Sequence, residues 1–129
     1  MAQFIDPEGL FHPQPVGFRQ VVKVGNLAFL SGQTAQAEDG SLVGVGDPLA
    51  QSKRIMQNLN ACLKALGVSY HNVIKTTFYY TDRDNMQTFR DVRRKYWPDQ
   101  SYASTSVMVA GLNNPGFLFE MEAVIELPS

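Results

Sequence analysis

The stretch "FLFEMEAVIEL", Phe117 to Leu127, decides how this chain must fold. It alternates without a break. Phe117, Phe119, Met121, Ala123 and Ile125 fall on one side, and Leu118, Glu120, Glu122, Val124 and Glu126 on the other. A period of two is the pattern of a strand with one face in a core. Three glutamates on the second face normally mean water. The sheet containing this strand is therefore expected to be covered by helices on one face only.

Working back along the chain, "YASTSVMVAGL" (Tyr102–Leu112) holds a strand over Thr105–Ala110 and carries no charge. From Gln100 to Phe119 no residue is charged, so any pocket here offers the hydroxyls of Ser104, Thr105 and Ser106 and no local cation. Before it, a helix is expected from about Asp84 to Trp97, stopped by Pro98. Asp84 lies in its first turn and Arg93, Arg94 and Lys95 in its last, the order that opposes the helix dipole favourably. The basic cluster reads as a solvated helix end. Met86, Phe89, Arg93 and Tyr96 share a helical face with Arg90 on its flank. Arg90 can snorkel to water or point into a subunit interface.

"NVIKTTFYYTD" is rich in β-branched and aromatic residues and reads as a strand. Asp47-Pro48 opens a helix, with an acceptor side chain at the cap and proline at the first position. Ile55, Met56, Leu59, Cys62, Leu63 and Leu66 give it one apolar face, and Gly67 ends it. Cys62 lies on that face and reads as packing. Earlier, "VGFRQVVKVGNLAFLSGQTA" forms two strands joined at Gly25-Asn26, a turn dipeptide suited to a tight hairpin. Residues 1–15 carry three prolines and one histidine without periodicity, and read as an irregular lead-in.

The order β-β-α-β-α-β-β predicts one α+β domain over residues 1–129, a mixed sheet with both helices on one face. The other face, with Phe18, Val22, Thr77 and Tyr79, is apolar enough to call for a second copy. The 129 residues suffice for one core, and 44% apolar with 18% charged residues is ordinary for a globular protein. A net charge of −1 offers no basic field for nucleic acid or membrane. The single Cys62 suits a reducing compartment. The opening residues lack the basic start and apolar run of a secretory signal, and no segment is long enough to span a bilayer; the expectation is cytoplasmic.

His12 and His71 lack partners at metal-ligand spacing, so no metal site is expected. The glycines of "EDGSLVGVGDP" match no phosphate-binding pattern. Ser31 in "FLSGQ" lacks the frame of a nucleophile elbow.

Together, "VKVGNLAFLSGQTA", "LNACLKALG", "NVIKTTFYYTD" and "VMVAGL…FEMEAVI" resemble the RidA/YjgF family, also named for an endoribonuclease, from about Val16 to Leu127. The resemblance implies a chorismate-mutase-like fold and a homotrimer whose sheets line a barrel. A small carboxylate-bearing metabolite would bind in a cleft at each subunit interface. It implies hydrolysis of reactive enamines and imines to ketoacids and ammonia, with no cofactor. An alternative is a metabolite-binding trimer without turnover; ribonuclease activity rests on the older family name alone.

Carried over by position, Ser31 and Gly32 border the cleft. Phe18 replaces an interface tyrosine, Ser106 stands for a small cleft residue, and Glu120 is the carboxylate that handles water. Ser104 falls where active deaminases carry an arginine that clamps the substrate carboxylate. A serine cannot reproduce that two-pronged contact. Loss of one side of a buried charge pair costs about 2–5 kcal/mol, on the order of 30-fold to several thousandfold. Arg90 takes the place of a cleft-facing asparagine and is the candidate to restore the charge from the opposite wall.

Overall fold

The structure, a computed structural model, describes residues 1–98 and 101–128. Its elements are β1 (Gln3–Ile5), β2 (Val21–Val24), β3 (Leu27–Gln33), α1 (Pro48–Leu66), β4 (Val73–Tyr80), α2 (Met86–Tyr96), β5 (Ala103–Met108) and β6 (Phe119–Glu126), with short 3-10 turns between. The six strands form one sheet in the order β1-β2-β3-β6-β4-β5. β4 and β5 pair in parallel and all other neighbours are antiparallel.

Two crossovers explain why both helices share a face. β6 lies antiparallel between β3 and β4, so β3 and β4 run the same way with α1 connecting them. α2 connects β4 to its parallel neighbour β5. Both connections step in the same direction across the sheet. One handedness, the right-handed rule for such units, then lays both helices on one side.

The expected elements form where their signals stand. The Asp47 carboxylate accepts from the Ala50 amide at 3.1 Å, and Pro48 opens α1. Gly67, at φ 70°, takes the left-handed conformation that ends it. Gly25, at φ 58°, makes the β2–β3 turn. The alternating residues Phe119, Met121, Ala123 and Ile125 are all buried under α1 and α2 beside Ile55, Met56, Leu59, Cys62 and Leu63. Phe78, Phe89 and Phe119 stack at the centre, with ring centroids 4.2–5.7 Å apart. Cys62 sits fully inside, and burial pushes its thiol up to about 12.

Three expectations change. The lead-in is not wholly irregular: Gln3–Ile5 adds a strand by pairing with β2, Phe4 opposite Val22. The pairing comes from β2's exposed edge, not from any period in residues 1–15. The second helix begins at Met86, after a 3-10 turn over Arg83–Asn85 whose cap is Asp82. And Arg93 is not part of a solvated helix end. It is 8% exposed, and its Nη1 donates to the Trp97 carbonyl at 3.3 Å, satisfying an acceptor that the helix leaves behind.

Buried polar side chains fasten α1 to the loops around it. Gln51, fully buried, donates to the Gly44 and Gly116 carbonyls and accepts from the Leu118 amide. Asn58 donates to the carbonyls of Thr34 and Gln36. At the other end of the molecule Trp97 lies between Tyr70 and Tyr102, with centroids 5.3 and 4.2 Å away, joining the end of α2 to the approach of β5.

Among the described residues nothing covers the opposite sheet face. Phe4, Val24, Phe29 and Val107 are exposed there, and β5 is exposed along its whole length.

Candidate functional site

Glu120 is the second residue of β6 and lies on that open face. Three neighbours keep it from full hydration. Tyr79 of β4 stands directly across from it. Glu122 follows two residues on along the same face. Beneath the carboxylate is Gly32: a Cβ built there would lie 2.6 Å from Glu120 Cδ and 2.8 Å from Cγ, far inside van der Waals contact. Only a residue without a side chain leaves the carboxylate that position.

A β-bulge places Gly32 there. Leu30 pairs with Ala123 and Gln33 with Met121, so β3 advances three residues while β6 advances two. Ser31 and Gly32 together stand opposite Glu122, both turned to the open face. The bulge restores Gln33 to the helix side, where it is 3% exposed. Its Nε2 donates to Gln20 Oε1 and to the Ser31 carbonyl, each at 2.9 Å, and Gln20 donates onward to the Phe11 carbonyl at 2.8 Å. This glutamine relay pins the bulge from behind. No sequence period reveals it, because a bulge is defined only by the register of two strands.

The carboxylate's surroundings alter its chemistry. Burial, and then the nearby charge of Glu122, hold Glu120 above the ordinary value of 4.5. Glu122 is itself bound by Tyr79, whose hydroxyl donates to Oε1 at 2.7 Å. That bond, with burial and the two carboxylates, also raises the phenol. Gly32, Tyr79, Asn113, Glu120 and Glu122 wall a cleft of about 280 Å³, completed by Gly111 and Leu112. The arrangement offers a basic carboxylate and a place for water or a small substrate against it.

The expected site residues divide into two groups. Gly32 and Glu120 meet. Ser31 is next along the bulge, and its hydroxyl donates to the Arg19 carbonyl at 2.6 Å, so toward a ligand it can only accept. Phe18, 48% exposed, and Ser31 wall an adjoining niche of about 450 Å³. Ser104, Ser106 and Arg90 lie elsewhere. Ser104 and Ser106 pair with Thr76 and Phe78, residues of the helix-side face, and Ser104 accepts from the Thr76 hydroxyl at 3.4 Å. Arg90 is exposed on α2, which packs on that same side through Phe89. Within one chain the sheet separates these three from Glu120.

Such a site defines a class: a one-sided α+β domain with a partly buried carboxylate held over a glycine on its open sheet. The chain belongs to the endoribonuclease L-PSP family, also called RidA/YjgF, whose pattern matches residues 12–127. Among its relatives, a RutC family protein of Pyrococcus abyssi is 35% identical over 87% of this chain and 88% of its own length. A mouse protein named 2-iminobutanoate/2-iminopropanoate deaminase is 28% identical over 87% of this chain and 83% of its own. A Thermotoga maritima crystal structure, of a candidate endoribonuclease, superposes with a TM-score of 0.88 at 31% identity over the full length of both chains.

Proposed function

We propose that this protein hydrolyses reactive imines, with Glu120 as the base that activates water. The half-buried Glu120 carboxylate over Gly32 carries the reading, because a raised pKa makes a carboxylate a better proton acceptor near neutrality. Glu120 takes a proton from water as the oxygen bonds to the carbon of the protonated imine, giving a neutral carbinolamine. Glu120 then returns that proton to the nitrogen and takes the hydroxyl proton as the C–N bond breaks, so that ketone and ammonia form and the last proton leaves with ammonia as ammonium. The mouse relative's name supports the same reaction class.

The division of site residues supports assembly as a homotrimer with shared clefts. The edge carrying Ser104, Ser106 and Arg90 of one copy would stand across the Glu120 cleft of the next, bringing Arg90 to the carboxylate of the ligand. Ser104 in place of the expected arginine favours a second reading, a binding protein without turnover.

One experiment separates them. Imines generated from amino acids by an oxidase are mixed with the protein, and ketoacid and ammonia are followed. Acceleration over buffer, abolished by Glu120→Gln, is the expected result. No acceleration with any imine overturns the catalytic reading and leaves binding. Ser104→Arg is expected to raise hydrolysis of the alanine-derived imine.

A further inference from the structure

We propose that Glu122 holds the cationic nitrogen of the substrate, so that the cleft takes imines in their protonated, iminium form; this rests on the imine-hydrolase reading above. Neither Glu122 nor its partner Tyr79 is among the residues carried over by position. Both share the cleft with Glu120.

The cleft has two carboxylates and no cation of its own. Glu120, Glu122, the Tyr79 phenol and the Asn113 amide all wall it, and none of its lining residues is basic. The one basic residue of β4, Lys75, stands opposite Val124, and among the described residues Glu122 forms no ion pair. Two like charges in a small space disfavour one another. Glu120 shows the effect already, since its raised value comes in part from Glu122. A cation between the two carboxylates relieves that repulsion.

Tyr79 prepares Glu122 for that cation. Its hydroxyl donates to Oε1 at 2.7 Å and so orients the side chain, while Oε2 has no partner among the described residues. The same bond raises the phenol, so at neutral pH the proton stays on Tyr79. Glu120 and Glu122 stand two apart on one strand, which sets their Cα atoms about 6.8 Å apart on the same face. That spacing lets one carboxylate face the water that attacks carbon and the other face the N–H one bond away. An opposite charge within about 4–6 Å favours the protonated form of such a group. The nitrogen is positive when water attacks and positive again as the C–N bond breaks, so an anion beside it favours both stages. Glu122 itself gains and loses no proton.

Acetamidine and acetamide test this, because they share one planar shape and only acetamidine is charged at neutral pH. Calorimetry at fixed ionic strength should show acetamidine bound at least about tenfold more tightly than acetamide. Glu122→Gln should remove that difference and Glu120→Gln should keep most of it, with circular dichroism showing both variants folded. If Glu122 served only to raise Glu120, the sign would be the reverse. Without Glu122 the Glu120 carboxyl falls toward its ordinary value, ionises more fully and binds the amidine better. A preference that survives Glu122→Gln, a preference that Glu120→Gln removes as fully, or no binding of acetamidine overturns the proposal. In turnover, Glu122→Gln should lower kcat/KM for the alanine-derived imine by about tenfold or more, and an unchanged value overturns it as well. If no imine is hydrolysed by the parent, the hydrolase reading falls, and the two probes still decide for or against Glu122.

Discussion

At Gly32 the missing side chain matters more than any flexibility of the backbone. A methyl group there meets only the end of Glu120, a mobile side chain, so Gly32→Ala should displace the carboxylate and leave the fold in place. The expected outcome is a fall in kcat on the order of 10²-fold, with a melting temperature close to the parent's. Steady-state kinetics beside thermal melts checks both halves. Glu120 itself should cost stability. Its raised pKa means that the folded chain holds this proton to higher pH than the unfolded chain does. Stability therefore falls as pH rises above the ordinary value of 4.5, and the loss is complete once pH passes the folded pKa. Glu120→Gln removes that loss: it should melt higher than the parent at neutral pH, with the two converging near about pH 4. Cys62 gives a simpler test. With its thiol buried and pushed up to about 12, it should resist alkylation in the folded protein and react once denaturant is added.

Elements differ in how openly the sequence declares them. α1 is legible at both ends, through Asp47-Pro48 and Gly67, and along its face. Asp47→Ala should cost about 1 kcal/mol in denaturant unfolding, the usual loss for a cap. Gln51, midway through the first half of α1, gives no such signal, since a glutamine there reads as surface. It is fully buried because three backbone groups of two loops converge on it. Gln51→Leu should cost more than the cap does, because each buried group left unpaired costs about 1–3 kcal/mol. β6 is plain in its alternation, and so is the face Glu120 occupies. That Glu120 is half-buried was not legible, because its cover comes from β3 and β4. β1 is hidden for the same reason: three residues with no period gain their structure from a partner strand. Arg93 looks solvated beside Arg94 and Lys95 until Trp97 folds back over it.

For the whole molecule, the fold class followed from order and alternation, while the site did not. Candidate residues were found by resemblance, and the sheet sets them on opposite sides, a fact no list of positions contains. The open face, with Phe4, Val24, Phe29 and Val107 exposed in the single chain, is what the proposed trimer would cover. Sedimentation should give three times the mass of one chain, and Phe29→Glu should shift it toward one. Activity should fall with it if neighbouring copies complete the cleft.

The sole tryptophan, clasped between Tyr70 and Tyr102 where α2 meets the approach to the parallel edge strand, supplies a built-in optical gauge. Because Trp97 is 3% exposed, its fluorescence should begin blue and move to the red if that edge detaches. A small molecule bound over Glu120 lies across the sheet from the tryptophan of its own chain, so a change it causes in the emission would report the neighbouring copy's edge set against it. Light from this protein would thus follow the docking of its edge.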